Sequence, residues 1–272
     1  MRIRVSHRTS YVYETPARSL VQLLRLTPRR HEGQHVIRWR LDMDSDASLN
    51  KGEDPLGNVT HRAFVAGPVS RLTLTVEGEV ETWDAHGVVR GAAERFAPEV
   101  FLRSTPLTEP GDELTAFARD LAGKDTLSTL HALMGELHRR VTFDTEPTHS
   151  ATTAEEAFIL GRGVCQDLAQ IFIAAARTLD IPARYVSGHL ARTDGVAEQE
   201  AAHAWAEAFV EDLGWVGFDA ANGVCPTDAY IRVAVGLDYL GAAPVRGART
   251  GGGSEALDVR LHVADALHQT QA

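Results

Sequence analysis

Three residue types that act together in nucleophilic catalysis occur in the second half of this 272-residue sequence. Cys165 follows the stretch GRGV and precedes a run with helical spacing, His203 opens HAWAEAFV, and Asp219 closes WVGFD. A thiol in the first turn of a helix is favoured as the thiolate, because the unpaired N–H groups and the helix dipole stabilise an anion there. A thiolate is a nucleophile, an imidazole is its base, and a carboxylate orients the imidazole. These three residues therefore predict a catalytic triad.

Each member of this predicted triad also has a plainer explanation when it is taken alone. A free cysteine behaves as a small hydrophobic residue, and an aspartate before AANG is a turn former. The positions at the ends of elements favour the catalytic interpretation. If HAWAEAFV and WVGFD are antiparallel neighbours, the start of one strand lies beside the end of the other. We therefore expect His203 and Asp219 to meet at one end of a sheet, facing the helix that begins at Cys165.

Three further residues are candidate substrate contacts. Gly163 allows a tight turn before the thiol and leaves room for a substrate to approach. Gln166 follows the thiol directly, and Trp205 follows the predicted base by two positions. Gln166 and Asp167 could instead cap the helix or be solvated, and Trp205 could pack in the wall of the site or in the core. Cys225 has no evident base beside it and is predicted to be an ordinary thiol.

The elements that must position these residues fall into two predicted domains. Alternating apolar and polar residues predict an antiparallel β domain over residues 1–105, and the proline-containing stretch RFAPEVFLRSTPLTEPGD marks its end. Residues 106–272 then carry helical patterns, of which CQDLAQIFIAAARTLDI has an apolar stripe, followed by the strand-like stretches ARYVSGHL, HAWAEAFV and WVGFDA. This order predicts an α+β fold in which the helix bearing Cys165 packs on an antiparallel sheet.

Composition and charge exclude several classes of function. The formal net charge of −10 argues against a nucleic-acid partner, because phosphate binding needs a cationic face. No apolar run has the length of a membrane span, and MRIRVSHRTSYVYE lacks the apolar core of a signal peptide. We therefore expect a cytoplasmic protein, whose two cysteines stay reduced.

Cofactors and metals have no support in the sequence either. The motifs CxxC and HExxH are absent, so we predict no metal site. The chain also has neither a P-loop nor a GxGxxG motif, so we predict no nucleotide cofactor. Exposed edges of the predicted β domain could support a homo-oligomer.

Four separated stretches, GRGVCQDLA, IPARYVSGHL, AAHAWAEAFV and GWVGFDAANG, resemble the core of the transglutaminase-like superfamily. The strand-rich first hundred residues and YIRVAVGLDYLGAAPVRG resemble its bacterial branch, which has an N-terminal β domain. The resemblance implies a papain-like core and a Cys165, His203 and Asp219 triad that acts on amides. The chain departs from the family where DAAN replaces Asp-Pro-Thr-Asn and where GLDY replaces GRDY.

The mechanism that the resemblance implies proceeds through a thioester. The Cys165 thiolate attacks a peptide or carboxamide carbonyl, His203 protonates the departing amine, and Asp219 holds the imidazole. Transfer of the acyl group to water makes a protease or amidase acting on a peptide or protein, which is the leading prediction; transfer to an amine is transamidation. One alternative is acyl transfer from a thioester donor to an arylamine. The other is a catalytically silent binding or scaffold module with the same fold.

Overall fold

The computed structural model describes residues 1–192 and 194–266, so the end of the predicted second domain lies outside the described residues. The strands are β1 (Arg2–Thr27), β2 (Gln34–Met43), β3 (Ser48–Glu53), β4 (Val59–Thr82), β5 (Val88–Val89), β6 (Thr142–Phe143), β7 (Arg162–Gly163), β8 (Ala183–Leu190), β9 (Glu198–Gln199), β10 (His203–Val210), β11 (Gly214–Phe218), β12 (Tyr230–Gly236), β13 (Val245–Gly251) and β14 (Glu255–Asp265). The helices are α1 (Asp112–Asp120), α2 (Thr126–Arg140), α3 (Ala154–Leu160), α4 (Cys165–Thr178) and α5 (Tyr239–Ala242), and a 3-10 helix spans Pro98–Leu102.

The first sheet has seven antiparallel strands built around the long strands β1 and β4. Their pairing shifts register near Ala17, where a Cβ on Gly67 of β4 would lie 2.3 Å from the Ala17 carbonyl oxygen, so only glycine fits there. The C-terminal strands β13 and β14 also pair with β1. The chain thus returns to its first sheet, although these strands lie within the predicted second domain, residues 106–272. The predicted boundary near residue 105 stays a prediction.

The second sheet has the strand order β12-β8-β10-β11-β5, and all of its pairs are antiparallel. Helix α4 packs on β10. Phe218 of β11 stacks on Phe172 of α4 with ring centroids 5.2 Å apart, so its cross-strand partner Ala206 points toward the same helix. This arrangement confirms the predicted α+β fold, with the cysteine-bearing helix on an antiparallel sheet. No helix in the described residues is long and apolar enough to cross a membrane.

Helix α4 is more deeply buried than its apolar stripe predicts. Every residue from Asp167 to Arg177 is buried, because α1, α2 and α3 cover the helix on the sides away from the sheet. The alanines of α4 share a core with Ala204, Ala206 and Ala208 of β10. Small side chains on both elements allow the helix to approach the strand closely. The N-terminus of α4, which carries Cys165, is therefore held in a rigid position.

Two amide side chains from the first sheet region join it to the second sheet. Strand β12 is an edge strand, and edge strands leave N–H and C=O groups unpaired. Gln34 donates to the Arg232 carbonyl at 2.9 Å and accepts from the Arg232 N–H at 2.8 Å. Asn58 donates to the Val235 carbonyl at 2.7 Å and accepts from the Val235 N–H at 2.8 Å. These side chains satisfy the edge of β12 as a neighbouring strand would.

Candidate active site

The first turn of α4 is organised by Asp167. Its Oδ2 accepts hydrogen bonds from the Val164 backbone N–H at 2.8 Å and from the Thr148 hydroxyl at 2.7 Å. A Cβ on Gly163 would lie 2.7 Å from the same oxygen, so the glycine makes space for this carboxylate. Gly163 therefore has a structural reason as well, and its predicted substrate contact stays a prediction. Asp167 caps the helix, which was one of its two expected roles, and Cys165 is the first helical residue.

His203 and Asp219 lie together, as the antiparallel pairing of β10 and β11 predicted. His203 Nε2 is 2.6 Å from Asp219 Oδ2, and Cys165 lies close enough to the imidazole to influence the pKa of His203. Because Nε2 faces the carboxylate, Nδ1 is the ring nitrogen left for the thiol. Burial lowers the pKa of His203, but the negative charge of Cys165 and the hydrogen bonds to Asp219 and Cys165 outweigh it and raise the pKa to about 10. The three predicted triad residues thus lie close together.

The Asp219 carboxylate is fully buried and receives five hydrogen bonds. Its Oδ1 accepts from the backbone N–H groups of Ala221, at 3.0 Å, and Asn222, at 3.2 Å. Besides His203, Oδ2 accepts from Asn222 Nδ2 and from the Tyr230 hydroxyl, each at 2.7 Å. Burial alone would raise the pKa of Asp219, but the hydrogen bonds and the charge of His203 lower it. The carboxylate therefore stays ionised beside the imidazole.

The turn DAAN keeps its shape without the proline of the family pattern. Asp219 itself closes the turn by accepting the two backbone N–H groups that follow it. In GLDY, Asp238 caps α5 by accepting from Gly241 N–H at 2.9 Å, and the Leu237 carbonyl accepts from Arg177 at 2.7 Å. Local hydrogen bonds therefore order the backbone at both places where the chain departs from the family pattern.

Two aromatic rings pack beside the imidazole. Trp205 is roughly parallel to the His203 ring at a centroid distance of 6.2 Å, and the Tyr230 ring lies 5.8 Å from His203. Trp205 is only 3% exposed and lies over Gly188, where a Cβ would be 2.6 Å from the indole. Trp205 is thus a buried side chain beside the imidazole, and its predicted substrate contact stays a prediction.

The remaining predicted residues have separate positions. Gln166 is partly buried in the first turn of α4 and stays a candidate substrate contact. Cys225 is a free thiol whose pKa is raised by burial, and no histidine is bonded to it among the described residues. Sequence reasoning missed Asn222 and Tyr230 as partners of Asp219. The spacing DAAN is a signal for Asn222, because an aspartate often bonds residues that follow it in a turn. No local signal identifies Tyr230, which comes from another strand.

Two family models match this chain. Residues 115–220 match the model described as the transglutaminase-like superfamily, and residues 3–81 match the bacterial transglutaminase-like N-terminal region. The chain belongs to the transglutaminase-like superfamily. The matched core includes Cys165, His203 and Asp219, the residues that the structure brings together. Within residues 1–192 and 194–266, no group of three or more His, Cys, Asp or Glu side chains is arranged to hold a metal ion.

Two sequence relatives match this chain over nearly its whole length, and one solved structure shares its fold. "Uncharacterized protein ML0607" of Mycobacterium leprae is 30% identical over 277 residues, which cover 96% of this chain and 98% of that protein. "Uncharacterized protein Rv2569c" of Mycobacterium tuberculosis is 28% identical over 98% of this chain and 95% of its own length. The crystal structure of a candidate cysteine protease from Cytophaga hutchinsonii has a TM-score of 0.79 at 22% identity, covering 98% of this chain and 91% of that chain. It therefore has the same fold.

Proposed function

We propose that this transglutaminase-like protein is a cysteine-dependent hydrolase that cleaves peptide or carboxamide bonds through a thioester. The observation that carries the proposal is the position of Cys165 at the start of α4, close to an imidazole that is itself held by a buried carboxylate. A thiolate and imidazolium pair in this position has the reactivity needed for acyl transfer. The name of the Cytophaga hutchinsonii relative supports a protease, and hence a peptide or protein substrate.

In the proposed reaction each residue of the triad has one role. The Cys165 sulfur forms a bond to the carbonyl carbon, and the oxyanion is stabilised by N–H groups at the start of α4. His203 gives its proton to the departing amine as the C–N bond breaks, which leaves a thioester. Water then attacks the thioester, His203 takes its proton, and the acid leaves while the thiolate re-forms. Asp219 keeps the imidazole oriented and stabilises its charged form.

The other readings differ in what accepts the acyl group. An amine in place of water gives transamidation, and a thioester donor with an arylamine acceptor gives a different acyltransferase. A silent binding module would keep the fold without turnover. The proximity of thiol and imidazole supports an enzyme over the silent module, because binding alone needs no such pair. The cytoplasmic location, the absence of nucleic-acid and membrane partners and a homo-oligomer stay predictions.

Iodoacetamide alkylation followed by mass spectrometry tests the proposal. The rate at Cys165 is measured from pH 4 to pH 9 in the wild type and in His203→Ala, with Cys225 of the same molecules as internal control. We expect fast alkylation of Cys165 well below pH 8 in the wild type and its loss in the variant, because the imidazolium stabilises the thiolate. Slow alkylation that rises only near pH 8.5, equally in both proteins, would exclude the catalytic pair.

A second experiment separates the acyl acceptors. The wild type is incubated with a mixed peptide library containing glutamine and asparagine side chains, with and without a primary amine, and with Cys165→Ala as control. Peptide cleavage or ammonia release without amine incorporation indicates the proposed hydrolase. Amine incorporation indicates transamidation, and the absence of every product would contradict both.

A further inference from the structure

Tyr230 reaches the centre of the site from the first position of β12. Its hydroxyl donates to Asp219 Oδ2 at 2.7 Å. Its ring lies 5.8 Å from the His203 ring and packs edge-on against Trp205 at 5.4 Å, measured between centroids. Tyr230 therefore contacts both the carboxylate and the imidazole that depends on it, although its strand pairs with neither β10 nor β11.

The two contacts constrain different motions. A carboxylate can rotate about its last bond, and the Tyr230 hydroxyl and Asn222 Nδ2 hold Oδ2 at the place where it meets His203 Nε2. The imidazole can rotate as well, and the Tyr230 ring and the Trp205 indole, which pack against each other, limit this rotation from one side. With both motions limited, Nδ1 of the imidazole stays directed at Cys165.

The surroundings of Tyr230 fix its own position. The side chain is 8% exposed, and burial together with the nearby Asp219 raises the pKa of its hydroxyl, so the hydroxyl remains a donor. Gly188 of β8 has no side chain, so the Trp205 indole occupies the space above it and packs against Tyr230. The first sheet region clamps β12 further along through Gln34 and Asn58.

We propose that Tyr230 is a positioning residue of this site, whose hydroxyl orients the Asp219 carboxylate and whose ring confines the His203 imidazole against Cys165. The inference rests on the proposed function, because positioning has a consequence only if the thiol and the imidazole form a reactive pair. It adds a residue that comes from the edge strand β12 rather than from the elements that carry the triad. It also gives the contact between the two sheets a role in the chemistry.

The test compares Tyr230→Phe with the wild type and with His203→Ala in the alkylation assay. Tyr13→Phe is the matched control, because Tyr13 is also buried but lies in the first sheet. We expect Tyr230→Phe to lower the alkylation rate of Cys165 at pH 6 by roughly tenfold, since a hydrogen bond to a charged group is lost. The pH at which the alkylation rate of Cys165 increases should shift in Tyr230→Phe toward the value found for His203→Ala. Tyr13→Phe should leave the rate and its pH profile unchanged.

The outcomes distinguish this inference from the proposed function. If His203→Ala abolishes alkylation at low pH but Tyr230→Phe stays within twofold of the wild type, Tyr230 has no positioning role and the proposed function stands. If His203→Ala behaves as the wild type, the proposed function fails first. A fall in stability of Tyr230→Phe without a change in the pH profile of its folded fraction indicates a structural role only and also overturns the inference.

If the Tyr230→Phe variant does not fold, an NMR measurement on the wild type still tests the inference. A hydroxyl proton held by a buried carboxylate exchanges slowly with solvent and gives its own NMR signal, with a contact to the His203 ring. Observation of this signal supports the proposed hydrogen bond. Its absence from the wild-type spectrum overturns the inference.

Discussion

At the scale of single residues, Asp219 stays ionised in the interior because its carboxylate accepts five hydrogen bonds. A buried carboxylate without partners would take up a proton, but here both oxygens accept hydrogen bonds. The ionised carboxylate favours the charged form of His203, and so does a negative charge on Cys165. The three groups therefore stabilise one another, and a change at one end should be detectable at the other.

Cys165→Ser should lower the pKa of His203. Burial of the ring lowers the pKa of His203. The charge of the Cys165 sulfur is the largest of the effects that oppose burial and together raise this pKa to about 10. A serine hydroxyl is uncharged at neutral pH, so only Asp219 would remain to favour the imidazolium. NMR titration of the histidine rings measures this change, and Cys225→Ser is the matched control. An unchanged His203 midpoint in Cys165→Ser would contradict the contact.

The same pKa predicts how His203 affects stability. A histidine whose pKa rises from 6.5 to about 10 on folding stabilises the folded protein fully below pH 6.5. That contribution is lost as the pH increases from 6.5 through about 10. The Cys165→Ser variant should lose it at lower pH, because its imidazole gives up the proton earlier.

At the scale of elements, the start of α4 depends on a glycine. Gly163→Ala should lower the free energy of unfolding by roughly 1–2 kcal/mol, because the new Cβ displaces the carboxylate that caps the helix. The alkylation rate of Cys165 should fall with it, since the first turn shifts. Urea unfolding and the alkylation assay measure the two effects.

Gly135→Ala is the control for this substitution. Gly135 lies within α2, and a Cβ there meets no atom within 4 Å. Alanine should therefore raise the free energy of unfolding by about 0.5–1 kcal/mol and leave the alkylation rate unchanged. Equal effects of the two substitutions would show that the carboxylate of Asp167 is not what makes Gly163 necessary.

The elements also show which parts of the site a sequence can predict. Strands β10 and β11 have clear periodicity and a short connection, so the meeting of His203 with Asp219 follows from their register. The capping box of α3, with Thr153 and Glu156, is likewise a local pattern that the structure contains. The contact of Tyr230 with Asp219 depends on how β12 and β8 are ordered in the sheet. Such long-range order has no local sequence signal.

At the scale of the whole molecule, the first sheet region and the site are connected through β12. This strand begins at Tyr230, beside the triad, and is clamped at Arg232 and Val235 by the amides of Gln34 and Asn58. The return of β13 and β14 to the first sheet adds a second connection. Periodicity identified these strands but not their sheet, because strand partners far apart in sequence are set by packing.

Asn58→Ala should weaken this connection. The substitution leaves the buried N–H and C=O groups of Val235 without their partners, which costs roughly 2 kcal/mol or more in the free energy of unfolding. Asn50→Ala is the control, because the Asn50 side chain is exposed and donates to the nearby Ser48 hydroxyl. Urea unfolding gives the stabilities, and hydrogen exchange at Val235 should accelerate in Asn58→Ala alone. An exchange rate equal to that of the wild type would refute the clamp.

Two buried histidines at the contact of the two sheets should make the molecule sensitive to acid. His7 of β1 and His189 of β8 lie with ring centroids 6.0 Å apart, and neither Nδ1 has a partner among the described residues. Burial lowers the pKa of His7 to about 4 and that of His189, which His7 also disfavours, to about 3. The unfolded chain therefore binds protons below pH 6.5 that the folded protein does not.

The free energy of unfolding should then fall as the pH decreases from 6.5 toward 4, by about 1.4 kcal/mol per pH unit for each of these histidines. Glutamine at position 7 does not titrate, so His7→Gln should reduce this slope by the contribution of one histidine. The exposed His86→Gln should keep the wild-type slope. Comparing slopes from urea unfolding cancels the groups common to all three proteins. A slope in His7→Gln equal to that of the wild type would mean that His7 is already charged in the folded protein, or that the sheets separate before it titrates.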